Sequence, residues 1–583
     1  MINILQRIYI CFLSFLLLVI PLVTKGSTIN IQIQGVSEDL QKKIKECLSN
    51  VSVKEIKNNS RFQNHILNII KTGLRVVGYY EPKIKLKYYF NLEHKDSLML
   101  VIHIISGQPI RIAGSKIIIK GEASTNFDYQ MLVKKSRPKI GSNLNHIDYE
   151  TFKHNLYILS QRNGYFDGYF KKNRLCVFVK EHKAFWDIDY DSGSRYNFGY
   201  VNFKGSQIKE MYLKNLMPFK RGDPYRSQIL AEINHRLSLT DWFNSIIIEP
   251  KFDKNSQTKI LSLNAFVSPR LKNIIEIGIG YSTDTGLYLK GTWKKPWVNN
   301  NGHCLTYSIY RCLLGTTINL HYKVPLLKNP IEQYYDFSST VKYTIFNIMR
   351  SDSKILAVSR CWYNPIGWKK SINLRWSVDS FIEDNIYRST MLLCPIFSLN
   401  HAFSCCGLMP QWGHSQIYWM EISNTSWGSD VDFLILQAQN VWIRTLNEKN
   451  RFLIRTHLGW IKTKHFNKVP PNLRFFIGSD HSIRGYKCKS IAQNATEKLI
   501  GASKIITNSL EYQYNFTNKC WSAIFIDAGE VVNDIMQSNV KIGIGLGVRW
   551  LSPLGTMKFD ISSPLTNVKK HDFQFYIALG PEL

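Results

Sequence analysis

Ile275-Glu276-Ile277-Gly278-Ile279-Gly280-Tyr281-Ser282 sets an apolar side chain at every second position, with a polar residue or glycine between. Successive strand side chains point to opposite faces, so this stretch predicts a strand with one apolar face and one polar or unobstructed face. The pattern returns at Ile372, Leu374, Trp376 and Val378, interleaved with Asn373, Arg375, Ser377 and Asp379. Past about residue 270 such alternation replaces helical periodicity. A soluble sandwich and a membrane barrel both select a period of two. Three features favour the barrel. The amino terminus reads as an export signal, and Trp and Tyr gather near expected strand ends (Trp293, Trp297, Tyr334, Tyr335, Trp442, Trp460). Residues 267–583 also hold about 16 strands at roughly 19 residues per strand and connection. The proline-bearing runs Trp293–Trp297 and Val324–Pro330 are expected as tight turns, since Pro cannot donate within a ladder.

At the carboxy terminus Phe573, Phe575, Ile577 and Leu579 alternate as a lipid-facing strand. Closure requires that strand to pair with the first one, around Ile275, Ile277, Gly278 and Ile279. Pro581 offers no N–H, so the seam between them is expected to be short.

The first half carries a repeat. Gly35, Gly121 and Gly205 close short apolar runs at spacings of 86 and 84 residues. In step with them, Gly78-Tyr79-Tyr80, Gly164-Tyr165-Phe166 and Asp241-Trp242-Phe243 each follow a helical pattern and precede a strand. In the third unit Tyr212, Leu213 and Leu216, then Ile229, Ile233 and Leu237, follow helical spacing, and Ile246-Ile247-Ile248 reads as a buried strand. The order is β-α-α-β-β, an α+β module repeated three times over 27–108, 109–190 and 191–266, before a barrel over 267–583.

Residues 1–26 read as a signal peptide: Arg7 precedes an apolar run from Ile8 to Val23, and Thr24 and Gly26 stand before Ser27. No later apolar stretch is long enough for a spanning helix, so membrane residence would need a closed barrel. The formal net charge of +31 is spread along the chain without a basic patch, which argues against nucleic acid and for anionic lipid headgroups as the facing surface. The 11 cysteines show no C-x-x-C spacing and read as small hydrophobes. No catalytic or metal-binding constellation and no cofactor motif stands out. Gly543, Gly545 and Gly547 alternate along a strand, reducing bulk on one barrel face, and lack dinucleotide-loop spacing.

The run Arg474-Phe475-Phe476-Ile477-Gly478-Ser479-Asp480-His481-Ser482-Ile483-Arg484-Gly485-Tyr486 resembles the lumenal-loop signature of the outer-membrane barrel-assembly family. Pro470–Ile491 and Gly501–Glu530 are similar to its translocation-and-assembly branch, and the amino-terminal repeats resemble that family's polypeptide-transport-associated (POTRA) domains. The resemblance implies residence in the outer membrane with the amino-terminal domains in the periplasm. It also implies that the loop bearing Ile483, Arg484, Gly485 and Tyr486 folds into the lumen, where the arginine meets acidic residues on neighbouring strands. Asp527, in Phe-Ile-Asp-Ala-Gly, is the first-choice partner and Glu511 the second. The implied partners are an inner-membrane-anchored protein reached through the POTRA domains, outer-membrane protein substrates and outer-membrane lipids. The implied mechanism opens the seam as a lateral gate. A two-partner-type secretion pore is the alternative within reach of the same loop signature.

Overall fold

The computed structural model describes residues 30–48, 60–90, 98–252, 258–282, 285–346, 349–363, 367–383, 385–405, 409–480, 482–491, 500–517, 519–534, 536, 539–552, 555–566 and 573–579. The expected signal peptide and Pro581 lie outside them.

Three small sheets precede one large sheet. The first unit runs β1 (Asn30–Gln34), α1 (Glu38–Leu48), α2 (Ser60–Val76), β2 (Lys83–Phe90) and β3 (Leu98–Ile105). The second runs β4 (Arg111–Lys120), α3 (Phe127–Ser136), α4 (His146–Asn163), β5 (Tyr169–Phe178) and β6 (Lys183–Asp191). The third runs β7 (Asn197–Lys204), α5 (Glu210–Lys214), α6 (Ser227–Leu239), β8 (Phe243–Lys251) and β9 (Ile260–Pro269). In each sheet the last strand in sequence lies in the middle, as in β1-β3-β2. That placement explains the cores: Leu100, Ile102 and Ile104 of β3 are buried, as are Trp186 and Ile188 of β6 and Leu261 and Leu263 of β9.

It also corrects the reading of Ile246–Ile248. They lie on β8, an edge strand, and Ile247 is 55% exposed, because an apolar run does not say which strand will be central. Two boundaries differ as well. Helix α5 stops at Lys214, leaving Leu216 buried just beyond it, and β9 continues to Pro269.

Local chemistry sets the helix ends. The Asn126 and Asn145 side chains accept the N–H of Asp128 and Ile147, capping α3 and α4. Helix α4 stops at Gly164, whose φ of 84° suits a residue without a Cβ. Gly78 occupies the same left-handed position after α2, with φ 92°, but after α6 the position belongs to Asp241, with φ 64°. These three positions are joints. The Ile110 N–H donates to the Gly78 carbonyl and the Tyr196 N–H to the Gly164 carbonyl, each 32 residues ahead and at 2.9 Å, while the Arg270 N–H donates to the Trp242 carbonyl at 2.9 Å.

The aromatic pair behind each joint docks on the next element group along the chain. Tyr80 reaches His146 (2.8 Å between hydroxyl and Nε2), Phe166 packs on Tyr196 and Tyr225, and the Trp242 Nε1–H donates to the Gly302 carbonyl at 3.0 Å. At the third joint the Asp241 carboxylate adds ion pairs to Arg270 and Lys294.

Strands β10 to β25 form a 16-stranded sheet in which each pairs antiparallel with its sequence neighbour. Its polarity is inverted relative to a soluble core. Ile275, Ile277 and Ile279 of β10 (Ile274–Ser282) are 70–74% exposed, whereas Ser377, Asp379, Glu421, Gln513 and Asp527 are buried on the inner face. An apolar outside around a polar inside is the pattern of a barrel solvated by lipid. Trp293–Lys295 belong to β11 (Gly286–Lys295) and Val324–Pro325 to β13 (Gly315–Pro325), so the first expected turn begins only at Pro296 and the second only after Pro325.

The expected closing ladder is absent among the described residues. β10 and β25 (Gln574–Leu579) lie side by side, but β10 pairs only with β11 and β25 only with β24 (Gly555–Pro564). Phe573 precedes β25, while Phe575 and Ile577 face outward.

Candidate functional site: a lumenal loop on an ionic cluster

The chain between β20 (Asn450–Thr463) and β21 (Lys504–Thr517) is the loop that carries the Ile-Arg-Gly-Tyr signature. Its apolar residues Val469, Phe475, Ile477 and Ile483 are buried in one cluster with Leu392, Phe433 and Ile505 of the barrel wall. Arg474 pins its first half. Its guanidinium donates to both Glu383 oxygens (2.9 and 3.2 Å) and its Nε–H to the Val469 carbonyl. The Asn472 amide adds bonds to the hydroxyls of Ser351 and Ser353 at 2.9 Å.

Arg484, 1% exposed, anchors the second half. Its Nε–H and Nη2–H donate to the two oxygens of Asp527 at 2.8 and 2.9 Å, and its backbone N–H donates to Asp527 Oδ2 at 3.0 Å. Nη1–H reaches Glu511 at 2.7 Å and Asp560 at 3.3 Å, and Nη2–H the Ser509 hydroxyl at 3.2 Å. The guanidinium carbon lies 3.3 Å from the Phe525 ring centroid. A planar, permanently charged fork suits this buried site, because carboxylates and a ring face are engaged at once. Both carboxylates named from the sequence, Asp527 and Glu511, therefore meet Arg484.

Sequence reasoning missed Asp560 and Arg549. Arg549, on β23 (Lys541–Ser552), donates to Glu511 at 2.7 Å and Asp560 at 2.5 Å, so two guanidinium groups share three carboxylates. Alternating polar residues on a lumen-facing strand look alike, and nothing local marks which will pair.

The glycine stripe was the available signal. A Cβ on Gly543 would strike the Arg484 carbonyl, on Gly545 the Phe525 ring and on Gly547 the Asp560 carboxylate. The bulk removed from that face is the space the loop and cluster occupy. Gly485, with φ 100°, likewise brings the loop against the Ser563–Pro564 backbone, where a Cβ would sit about 3 Å away. Its N–H donates to the Tyr576 hydroxyl, and Tyr486 donates its own hydroxyl to the Thr566 carbonyl at 2.9 Å.

A polar-lined, 16-stranded barrel with β-α-α-β-β domains ahead of it and a loop folded into its lumen defines an outer-membrane barrel with periplasmic POTRA domains. The comparisons agree. Residues 398–582 match the Omp85 superfamily domain, residues 30–103 the POTRA domain TamA domain 1, and residues 196–270 the surface antigen variable number repeat, a POTRA-type domain. The chain thus carries an Omp85 superfamily domain over residues 398–582, with POTRA-type domains ahead of it.

It is 30% identical over 137 residues to the outer membrane protein assembly factor BamA of Nitratidesulfovibrio vulgaris, an alignment covering 22% of this chain and 17% of the relative. The chain thus spans about a sixth of that relative's length. In fold it is similar to BamA from Haemophilus ducreyi lacking POTRA domains 1–3 (TM-score 0.57, 14% identity, 95% of this chain and 99% of that one). CdiB from Escherichia coli aligns with a TM-score of 0.46 at 13% identity, over 81% and 90% of the two chains.

Proposed function

We propose that this protein is a TamA-type subunit of the translocation and assembly module, which helps insert or translocate other outer-membrane proteins, autotransporters among them, through its lateral seam. The observation that carries the reading is the TamA-type first POTRA match at residues 30–103, joined in one chain to a barrel whose end strands exchange no ladder among the described residues. Unladdered edges expose backbone donors and acceptors, which an incoming strand can use as a template by β-augmentation.

In this reading three POTRA units, over about 27–108, 109–190 and 191–266, face the periplasm and receive a TamB-like inner-membrane-anchored partner. Outer-membrane lipids surround the barrel over 267–583. No step calls for catalysis or a cofactor.

Depletion is the test. Assembly of autotransporter barrels should slow, and the protein should crosslink through residues 30–103 to a TamB-like protein. Normal autotransporter assembly together with loss of one dedicated secreted protein would instead identify a two-partner secretion pore.

A further inference from the structure

We propose that Tyr576 is a positioning residue that latches the last barrel strand to the lumenal loop, so that loop seating and seam geometry form a single equilibrium. The inference rests on the reading of the seam as the exit for assembling strands.

β25 is weakly held for a barrel strand. Among the described residues it has six positions, Gln574 to Leu579, all paired with β24, and no ladder joins it to β10. Phe575 and Ile577 point outward, while Tyr576 between them points into the lumen and is 5% exposed. Its hydroxyl accepts the Gly485 N–H at 3.1 Å and donates to the Tyr486 carbonyl at 2.9 Å. One oxygen thereby satisfies two backbone groups of the loop tip, as only a side chain that both donates and accepts can. Phenylalanine would fill the same space and satisfy neither.

The tip grips the neighbouring hairpin elsewhere too. Gly485 lies against Ser563 and Pro564 at the end of β24, and the Tyr486 hydroxyl bonds Thr566 just beyond it. The carboxylates that hold Arg484 lie on β21, β22 (Cys520–Val532) and β24 and not on β25, with Asp560 facing Tyr576 across the β24–β25 ladder. Two functions are thus separated by one residue. Arg484 seats the loop on the wall, and the Gly485–Tyr486 backbone hands that seating on to the last strand. With no ladder from β10 among the described residues, loss of the hydroxyl should free β25 without unseating the loop.

The test compares wild type with Tyr576→Phe in lipid nanodiscs. Amide exchange over residues 574–579 should rise at least tenfold in the variant, with residues 469–477 of the loop unchanged. Disulfide crosslinking between single cysteines scanned along β10 and β25 should spread from one register to several. Gly485→Ala, which pushes the loop off β24 and leaves Tyr576 intact, should loosen the same strand. Unchanged β25 exchange in both variants overturns the latch, as does loosening of loop and strand together in Tyr576→Phe. If β25 loosens but autotransporter assembly proceeds normally even with the seam crosslinked, the latch stands and the seam reading falls.

Discussion

Two ionic clusters fasten other parts of the chain to the barrel, and they differ in burial. In the lumen, the side chains of Arg484, Glu511 and Asp527 are at most 3% exposed. At the third joint, those of Asp241, Arg270 and Lys294 are 30–39% exposed. The attraction is of the same kind. What differs is the cost of leaving one partner behind: a carboxylate in water is solvated, whereas one in a closed lumen is not. The lumenal cluster should therefore behave as an all-or-none lock, and the joint as an adjustable clamp.

Arg484→Ala is the strongest challenge to that contrast. Leaving Asp527 without its fork should cost about 3–5 kcal/mol, less where water fills the vacated space. The loop between Lys464 and Ser503 should become protease-sensitive, and the folded band in semi-native electrophoresis should be lost at lower temperature. Retained protection would show that the apolar packing of Phe475, Ile477 and Ile483 suffices alone.

The charge-swapped double variant Arg484→Asp with Asp527→Arg sharpens the point. An isolated pair would recover part of the loss. Here the new aspartate would face Glu511 and Asp560, so the double variant should be no better than Arg484→Ala in the same protease assay. Clear recovery would mean that Asp527 is the sole energetic partner.

Gly543→Ala asks whether the empty face matters by itself. Its methyl group would meet the Arg484 carbonyl, and overpacking of that kind costs about 1–3 kcal/mol. The melting temperature should fall with every charge in place. An unchanged melting temperature would mean that the loop backs away freely.

Asp241→Gly has the smallest expected effect on stability. Exposed ion pairs contribute roughly 0–1 kcal/mol each, so losing the two that Asp241 makes offsets the about 1–2 kcal/mol returned by removing a side chain from a left-handed backbone, and the net change should be near zero. Docking should loosen nonetheless. Spin labels on α6 and β11 should report a broader distance distribution, and an unchanged one would leave the docking to Trp242 and Gly302.

Much of the fold was legible because it is local. The period of two at Ile275–Tyr281 announced an outward apolar face, and Gly35, Gly121 and Gly205 do close strands at positive φ. Ile246–Ile248 misled, because centrality in a sheet depends on strands elsewhere in the chain. At the site, Arg484, Asp527 and Glu511 stood out through a family signature, whereas Arg549, Asp560 and Tyr576 carry no local mark.

The sequence by itself determined the period of each strand, the β-α-α-β-β repeat and the places where only a residue tolerant of positive φ fits, since these depend on neighbours a few residues apart. The tertiary structure alone decided which strand lies central, that two arginines share three carboxylates, and that β10 and β25 meet without a ladder among the described residues. Those outcomes depend on register between strands up to about 300 residues apart, where pairing is set by closure of the whole sheet and no short stretch of sequence encodes it.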